Sequence, residues 1–144
     1  MRLNFIILFL CVFTGFHAKA QNINFDFGIG PTIAFNNATF GAQVKVAYFM
    51  ADRFHPALTF SYFIADDVNY GVDLDARYQL ITAEEYYISP LVGINLSRFD
   101  GQTGIGLNAG LFWEIKRDIM SFYLEPKFVL DTESFLVLSG GIYF

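Results

Sequence analysis

The sequence predicts an all-β fold, an eight-stranded antiparallel up-and-down meander that closes into a barrel. Three observations predict it. Apolar residues recur at every second position through eight successive segments, which is the period of a strand with two unlike faces. Short runs such as "NNA", "ADDVN" and "DTE" separate the segments, and short connections pair neighbours antiparallel. The number of segments is even, so the meander can close on itself and lose its edges. Composition agrees: the 144 residues are 54% hydrophobic and 19% aromatic with only 16% charged. That load favours strands, opposes disorder and fills one domain.

The first twenty residues stand apart. "MRLNFIILFLCVFTGFHAKA" has a basic start, an apolar run over 3–16 and then "AKA" before Gln21. This is the layout of a cleavable secretory signal peptide, 1–20, followed by the barrel domain, 21–144. The run is too short for a spanning helix, which needs about 20 apolar residues. Cys11 lies inside it, after Leu10 where a lipid-anchor signal needs a small residue. The remaining chain then has no thiol for a disulfide, nucleophile or metal site. Removing Arg2 and Lys19 from nine basic residues leaves seven against fourteen acidic, a net charge of −7. That argues against nucleic acid, which requires a basic stripe.

The first strand alternates Ile23, Phe25, Phe27, Ile29, Pro31, Ile33 and Phe35 against smaller or polar residues, and "NNA" ends it. The second carries Phe40, Ala42, Val44, Val46, Tyr48 and Met50 on its apolar side. "ADRFHP" reads as a turn, so the third strand is Leu58, Phe60, Tyr62 and Ile64, the shortest of the eight. After "ADDVN" come Tyr70, Val72, Leu74, Ala76, Tyr78 and Leu80. After "TAEE" come Tyr86, Ile88, Pro90, Val92, Ile94 and Leu96. "SRFDGQ" reads as the next turn, before Ile105, Leu107, Ala109, Leu111, Trp113 and Ile115. The seventh strand runs from Met120 and Phe122 to Leu130, and the eighth through Leu136, Leu138, Gly140 and Ile142 to Phe144. Pro31, Pro90 and Pro126 cannot donate to a ladder, and bulges are their expected accommodation.

The distribution of charge and rings decides which face is outside. The apolar phase carries no charge. The opposite phase carries Asp26, Lys45, Asp73, Asp75, Arg77, Glu114, Lys116, Glu125 and Lys127, an expected interior polar network with acids and bases nearly balanced. That phase is also rich in glycine, including Gly28, Gly30, Gly41, Gly71, Gly93, Gly104, Gly106, Gly110 and Gly141, which suits the narrow interior of a small barrel. With both chain ends on one side, the near end of each strand offers Phe25, Tyr48, Phe60, Tyr78, Tyr86, Trp113, Phe122 and Phe144. One aromatic per strand is an aromatic girdle, as expected at a membrane interface. Phe35, Phe40, Tyr62, Tyr70 and Phe128 form a less complete far ring. Most runs reach the about 9–11 residues a tilted membrane strand needs. The expectation is therefore a transmembrane β-barrel, with a soluble lipocalin-like barrel around an apolar ligand as the alternative.

A cleavable leader, eight amphipathic strands and a terminal Phe resemble the small outer-membrane β-barrel proteins of Gram-negative bacteria, most of all the domain group that includes PorT-like proteins. The resemblance implies that the outer-membrane insertion machinery reads the last strand, through Leu136, Leu138, Ile142 and Phe144. Gly140 departs from that pattern, and Ile142 stands where an aromatic is commoner.

Catalytic chemistry finds no support. His55, the only histidine after the leader, falls in the "ADRFHP" turn and reads as solvent-exposed. No Ser/His/acid set accompanies it. "GIG" at 28–30 and 104–106 precedes no helix, so it lacks the logic of a phosphate loop. The far turns are acidic through Asp66, Asp67, Asp100, Asp131 and Glu133, and read as solvated. No cofactor and no metal is expected. The expected role is a non-enzymatic structural or interaction barrel in the outer membrane, monomeric and in contact with lipid. A narrow passive pore through the polar interior is the alternative in another class.

Overall fold

A computed structural model of the chain describes residues 25–35, 38–50, 53–64, 69–83, 85–131 and 133–144. The expected leader, and Asp66 and Asp67 of the far turns, lie outside these residues. The elements are β1 (Phe25–Ala34), β2 (Thr39–Tyr48), β3 (Phe54–Phe63), β4 (Asn69–Tyr78), β5 (Ile81–Thr82), β6 (Tyr86–Phe99), β7 (Gln102–Lys116), β8 (Ser121–Leu130) and β9 (Phe135–Tyr143). Each long strand pairs antiparallel with its sequence neighbour, and β1 pairs with β9 to close an eight-stranded barrel. The two-residue β5 continues β4. From Arg77↔Leu91 to Ile81↔Ile88 the β4–β5 side advances four residues while β6 advances three. One extra residue against its partner is a β-bulge.

Pro90 sits within that bulge and keeps its pairing to Leu111 of β7. The expected bulge is therefore present at Pro90, but not at the other two prolines. At Pro31 the β1–β9 ladder passes from Ile29↔Ile142 to Thr32↔Ser139 with the register unchanged. At Pro126 the β7–β8 ladder passes from Gly110↔Lys127 to Trp113↔Leu124, again in register. Each of these prolines interrupts one ladder locally, and the closed barrel carries the strand through.

Three strand boundaries differ from the sequence reading. β3 begins at Phe54 and spans ten residues, so it is not the shortest strand. Pro56 does not end it, because the β2–β3 ladder stops at Ala47↔Ala57 and the ring lies just beyond. "SRFDGQ" is mostly strand: β6 runs to Phe99, β7 starts at Gln102, and only Asp100 and Gly101 turn. Their φ angles of 49° and 78° are the two positive values a type I′ hairpin requires. Met120 lies just before β8, which starts at Ser121.

Barrel closure depends on close strand approach. A Cβ on Gly30 would collide with the Gly140 carbonyl and come within 2.6 Å of Gly141 Cα, and one on Gly141 would collide with the Ile29 carbonyl. Gly41, Gly93 and Gly110 meet the backbone of β3, β4 and β8 in the same way. These four approaches fall on alternate strand pairs around the barrel, where glycine allows the sheet to bend sharply.

Candidate functional site: the closed interior

The barrel is inside-out compared with a soluble protein. Among the described residues, twenty buried side chains are polar or charged and twelve are apolar, while thirty large hydrophobic residues are exposed. Soluble monomers rarely expose apolar patches beyond a few hundred Å². Strand alternation produces the inversion: Lys45, Asp73, Asp75, Arg77, Glu125 and Lys127 point in, and their sequence neighbours point out.

At mid-height these six side chains form one layer of three acids and three bases. Lys45 Nζ and Arg77 Nη2 each donate to Glu125 Oε2 at 2.7 Å. Lys127 Nζ donates to Asp73 Oδ2 at 2.7 Å and Asp75 Oδ2 at 3.3 Å, and lies 3.6 Å from Glu125 Oε1. Asn108 Nδ2 bridges Asp73 and Asp75 at 2.9 and 2.7 Å, and Asn95 Nδ2 donates to Asp73 at 2.6 Å. Buried ions need this degree of mutual satisfaction, because losing water costs several kcal/mol per ion.

The nine-residue network is thus two groups. Glu114 is buried but separate, accepting a hydrogen bond from Ser121 Oγ at 2.5 Å. Asp26 is half-buried near the end of the barrel that holds Phe144, and Lys116 is exposed at that end with its ammonium 4.4 Å from the Tyr87 ring centroid. All three sit at the ends of β1 and β7 nearest the termini, away from the central layer.

Two aromatic clusters close the interior on either side of the charges. On the side of the termini, Phe112, Tyr123 and Tyr143 pack with Ala47, Ala57 and Leu91. The Arg77 guanidinium lies 3.8 Å from the Phe112 centroid and donates to Tyr143 Oη at 3.0 Å. Gln43 Nε2 donates to Tyr123 Oη at 2.8 Å. At the opposite end, Phe63, Val129, Phe135, Val137 and Ala34 pack with Phe99. These tyrosines, the phenylalanines and the amides Asn95 and Asn108 are additions to the expected site residues. Their inward phase is readable in the sequence, but being uncharged they carry no signal of a shared network.

His55 is a correction. It lies on β3, buried and inward, with its ring 4.3 Å from that of Phe49. The prolonged β3 takes it out of the turn. It has no catalytic set, and the described residues hold no group of three or more His, Cys, Asp or Glu placed to share a metal.

On the outer surface, Phe25 and Tyr48 are register partners with rings 4.8 Å apart. Tyr78, Tyr86, Trp113, Phe122 and Phe144 are exposed toward the same end. Phe60 is not at that end. It pairs with Val44 and Val72 and stacks 6.5 Å from Tyr70 in the far half. The near-end ring of β3 is Phe54, paired with Tyr78, and reading "ADRFHP" as a turn hides it. On β9, Leu136, Leu138 and Ile142 face outward opposite Phe128, Pro126 and Phe122. The Phe144 amide donates to the Phe27 carbonyl at 2.9 Å, which pins the chain end into the seam.

No family model and no curated protein sequence matches the chain. Solved structures do match. The N-terminal β-barrel domain of Pseudomonas aeruginosa OprF aligns with a TM-score of 0.66 at 16% identity, covering 86% of this chain and 100% of that one. Yersinia pestis outer membrane protein Ail, in a phospholipid bilayer nanodisc, aligns at 0.56 and 10% identity over 85% and 100%. Neisserial surface protein A aligns at 0.56 and 11% identity over 83% and 96%. The chain has the fold of the eight-stranded outer-membrane β-barrels.

Proposed function

We propose that the chain is an integral outer-membrane barrel of a Gram-negative bacterium, with both ends in the periplasm and a structural or interaction role without catalysis. The observation that carries the reading is the surface. An apolar band runs around the barrel from the ring at the termini to Phe40, Tyr62 and Phe128, and the charges at that height, Lys45, Asp73, Asp75, Arg77, Glu125 and Lys127, are buried inside. Outward apolar positions on β6 extend from Tyr86 to Leu96 before Arg98, and eleven residues of tilted strand match an apolar band of about 25 Å. Lipid is the partner of this face. The insertion machinery reading β9, the monomeric state and kinship with the PorT-like group belong to the same proposal; the outward Leu136, Leu138 and Ile142 on β9 are what the machinery would read.

The filled interior favours a barrel that does not conduct. An open path would have to displace both aromatic clusters and a neutralised charge layer. A lipocalin-like role would need an apolar cavity, and the described interior is charged at its centre. Membrane fractionation tests the proposal, with heat-modifiable gel mobility as the second readout. The barrel should remain with the outer membrane and migrate faster unheated; recovery in the soluble fraction without detergent would overturn it. Planar-bilayer recording should show no steps, whereas steps altered by Asp75→Asn or Lys45→Gln would establish the pore instead.

A further inference from the structure

We infer that the barrel opens as four hairpins, and that the charges of β8 are the latch that holds the hairpins together. Four strand pairs turn at the end away from the termini: β1–β2, β3–β4, β6–β7 and β8–β9. Their ladders run unbroken over ten, ten, fourteen and nine residue pairs. The other four contacts, β9–β1, β2–β3, β4–β6 and β7–β8, are the seams between these hairpins. Their ladders hold five pairs for β9–β1, seven for β2–β3, eight for β4–β6 before its bulge and eight for β7–β8.

Each seam carries one proline. Alternate residues of a strand bond to the same neighbour, so one bond fixes the direction of the rest. The Phe35 amide at the end of β1 donates to the Leu136 carbonyl, and Pro31 therefore faces β9. The Ile64 amide after β3 donates to the Phe40 carbonyl, and Pro56 therefore faces β2. The Leu80 amide donates to the Ile88 carbonyl of β6, and Pro90 therefore faces β4. The Arg117 amide donates to the Met120 carbonyl before β8, and Pro126 therefore faces β7. A proline cannot donate to a ladder, so all four seams lack a bond that the hairpins keep.

Side chains fasten what the backbone leaves weak. Lys45 of β2 and Arg77 of β4 both reach Glu125 of β8. Lys127 of β8 reaches Asp73 and Asp75 of β4. Gln43 of β2 donates to Tyr123 of β8, Thr32 of β1 bonds Ser139 of β9, and Ser121 of β8 donates to Glu114 of β7. Each of these contacts joins two different hairpins, and Glu125 and Lys127 supply the ionic ones. Proteins open in cooperative units that often coincide with such supersecondary motifs. Removing one partner of a buried ion set leaves the others uncompensated, so the seams are where its loss is felt.

Hydrogen exchange of the full barrel in detergent micelles, read residue by residue by NMR and corrected for side-chain chemistry, tests this. Neighbouring amides point opposite ways. Those of Val44 and Phe128 lie on the seams, and those of Lys45 and Lys127 lie inside hairpins. The two seam amides should exchange about tenfold faster, or more, than their neighbours, as expected of a sub-global opening. Equal rates within each pair would overturn the inference, because the barrel would then open only as a whole. Glu125→Gln should speed Phe128 more than Lys127, whereas equal acceleration would show that Glu125 supports the whole barrel and latches no seam. Lys45→Met, which removes one partner of Glu125, gives the same comparison at Phe128 and Lys127 if Glu125→Gln does not fold.

Discussion

Replacing Gly30 with alanine should weaken the barrel at its seam, while the same change at Gly140, its neighbour across the seam, should not. A methyl on Gly30 would collide with the Gly140 carbonyl and stand 2.6 Å from Gly141 Cα, where ordinary contact begins at 3.4 Å. Clearing Gly141 Cα alone would separate the strands by about 0.8 Å, and clearing the Gly140 carbonyl would need more. Overpacking of this kind costs about 1–3 kcal/mol. Lower freedom in the unfolded chain returns about 0.4–1 kcal/mol, so a net loss of up to about 2.6 kcal/mol, centred on about 1.3, is expected from these two effects. At Gly140 the added methyl meets Tyr123 O at 3.4 Å and Leu124 Cδ1 at 3.7 Å, which are ordinary contacts. Gly140→Ala should therefore be neutral or stabilising by up to about 1 kcal/mol. Nothing in the structure explains why residue 140 is glycine. The assay is urea unfolding in detergent micelles, read by the loss of the fast-migrating unheated band. Equal midpoints for the two variants, or a lower one for Gly140→Ala, would refute the argument that the seam is closed by backbone contact at Gly30.

Three other perturbations test the interior and the outer face. Glu125→Gln leaves Lys45, Arg77 and Lys127 facing two carboxylates, and should cost about 3–5 kcal/mol as a broken buried ion set; Lys116→Gln, at the exposed end, should change the same urea midpoint by no more than about 0.5 kcal/mol. Leu74→Arg and Val92→Arg put charge on the outward face at 51% and 63% exposed positions, and each should lower insertion stability by about 2–4 kcal/mol near the midplane, seen as loss of folded barrel on refolding into vesicles. Trp113 is the only tryptophan, and its emission should be quenched most by lipids brominated near the headgroup; strongest quenching at the chain ends would put the ring at the wrong depth.

The sequence by itself determined the class of the fold. A two-residue period has one inward and one outward face at each step, so Lys45, Asp73, Asp75, Arg77, Glu125 and Lys127 share a face whatever the register. Their balance of charge was also legible, since it depends on counting alone. Register, height and closure were not. Whether Pro56 ends a strand depends on where β2 stops beside it, a fact held by another segment. That fact moved His55 into the interior and exchanged Phe60 for Phe54 in the ring near the termini. Height likewise separated Asp26, Glu114 and Lys116 from the six central charges. The neutral residues that complete the network, Asn95, Asn108, Tyr123 and Tyr143, come from β6, β7, β8 and β9. Their meeting depends on the pairing of β1 with β9, because only a closed sheet brings strands distant in sequence across one interior. Periodicity is a local property of the chain and can be read from it; the partners of a buried charge are set by closure, which only the tertiary structure decides.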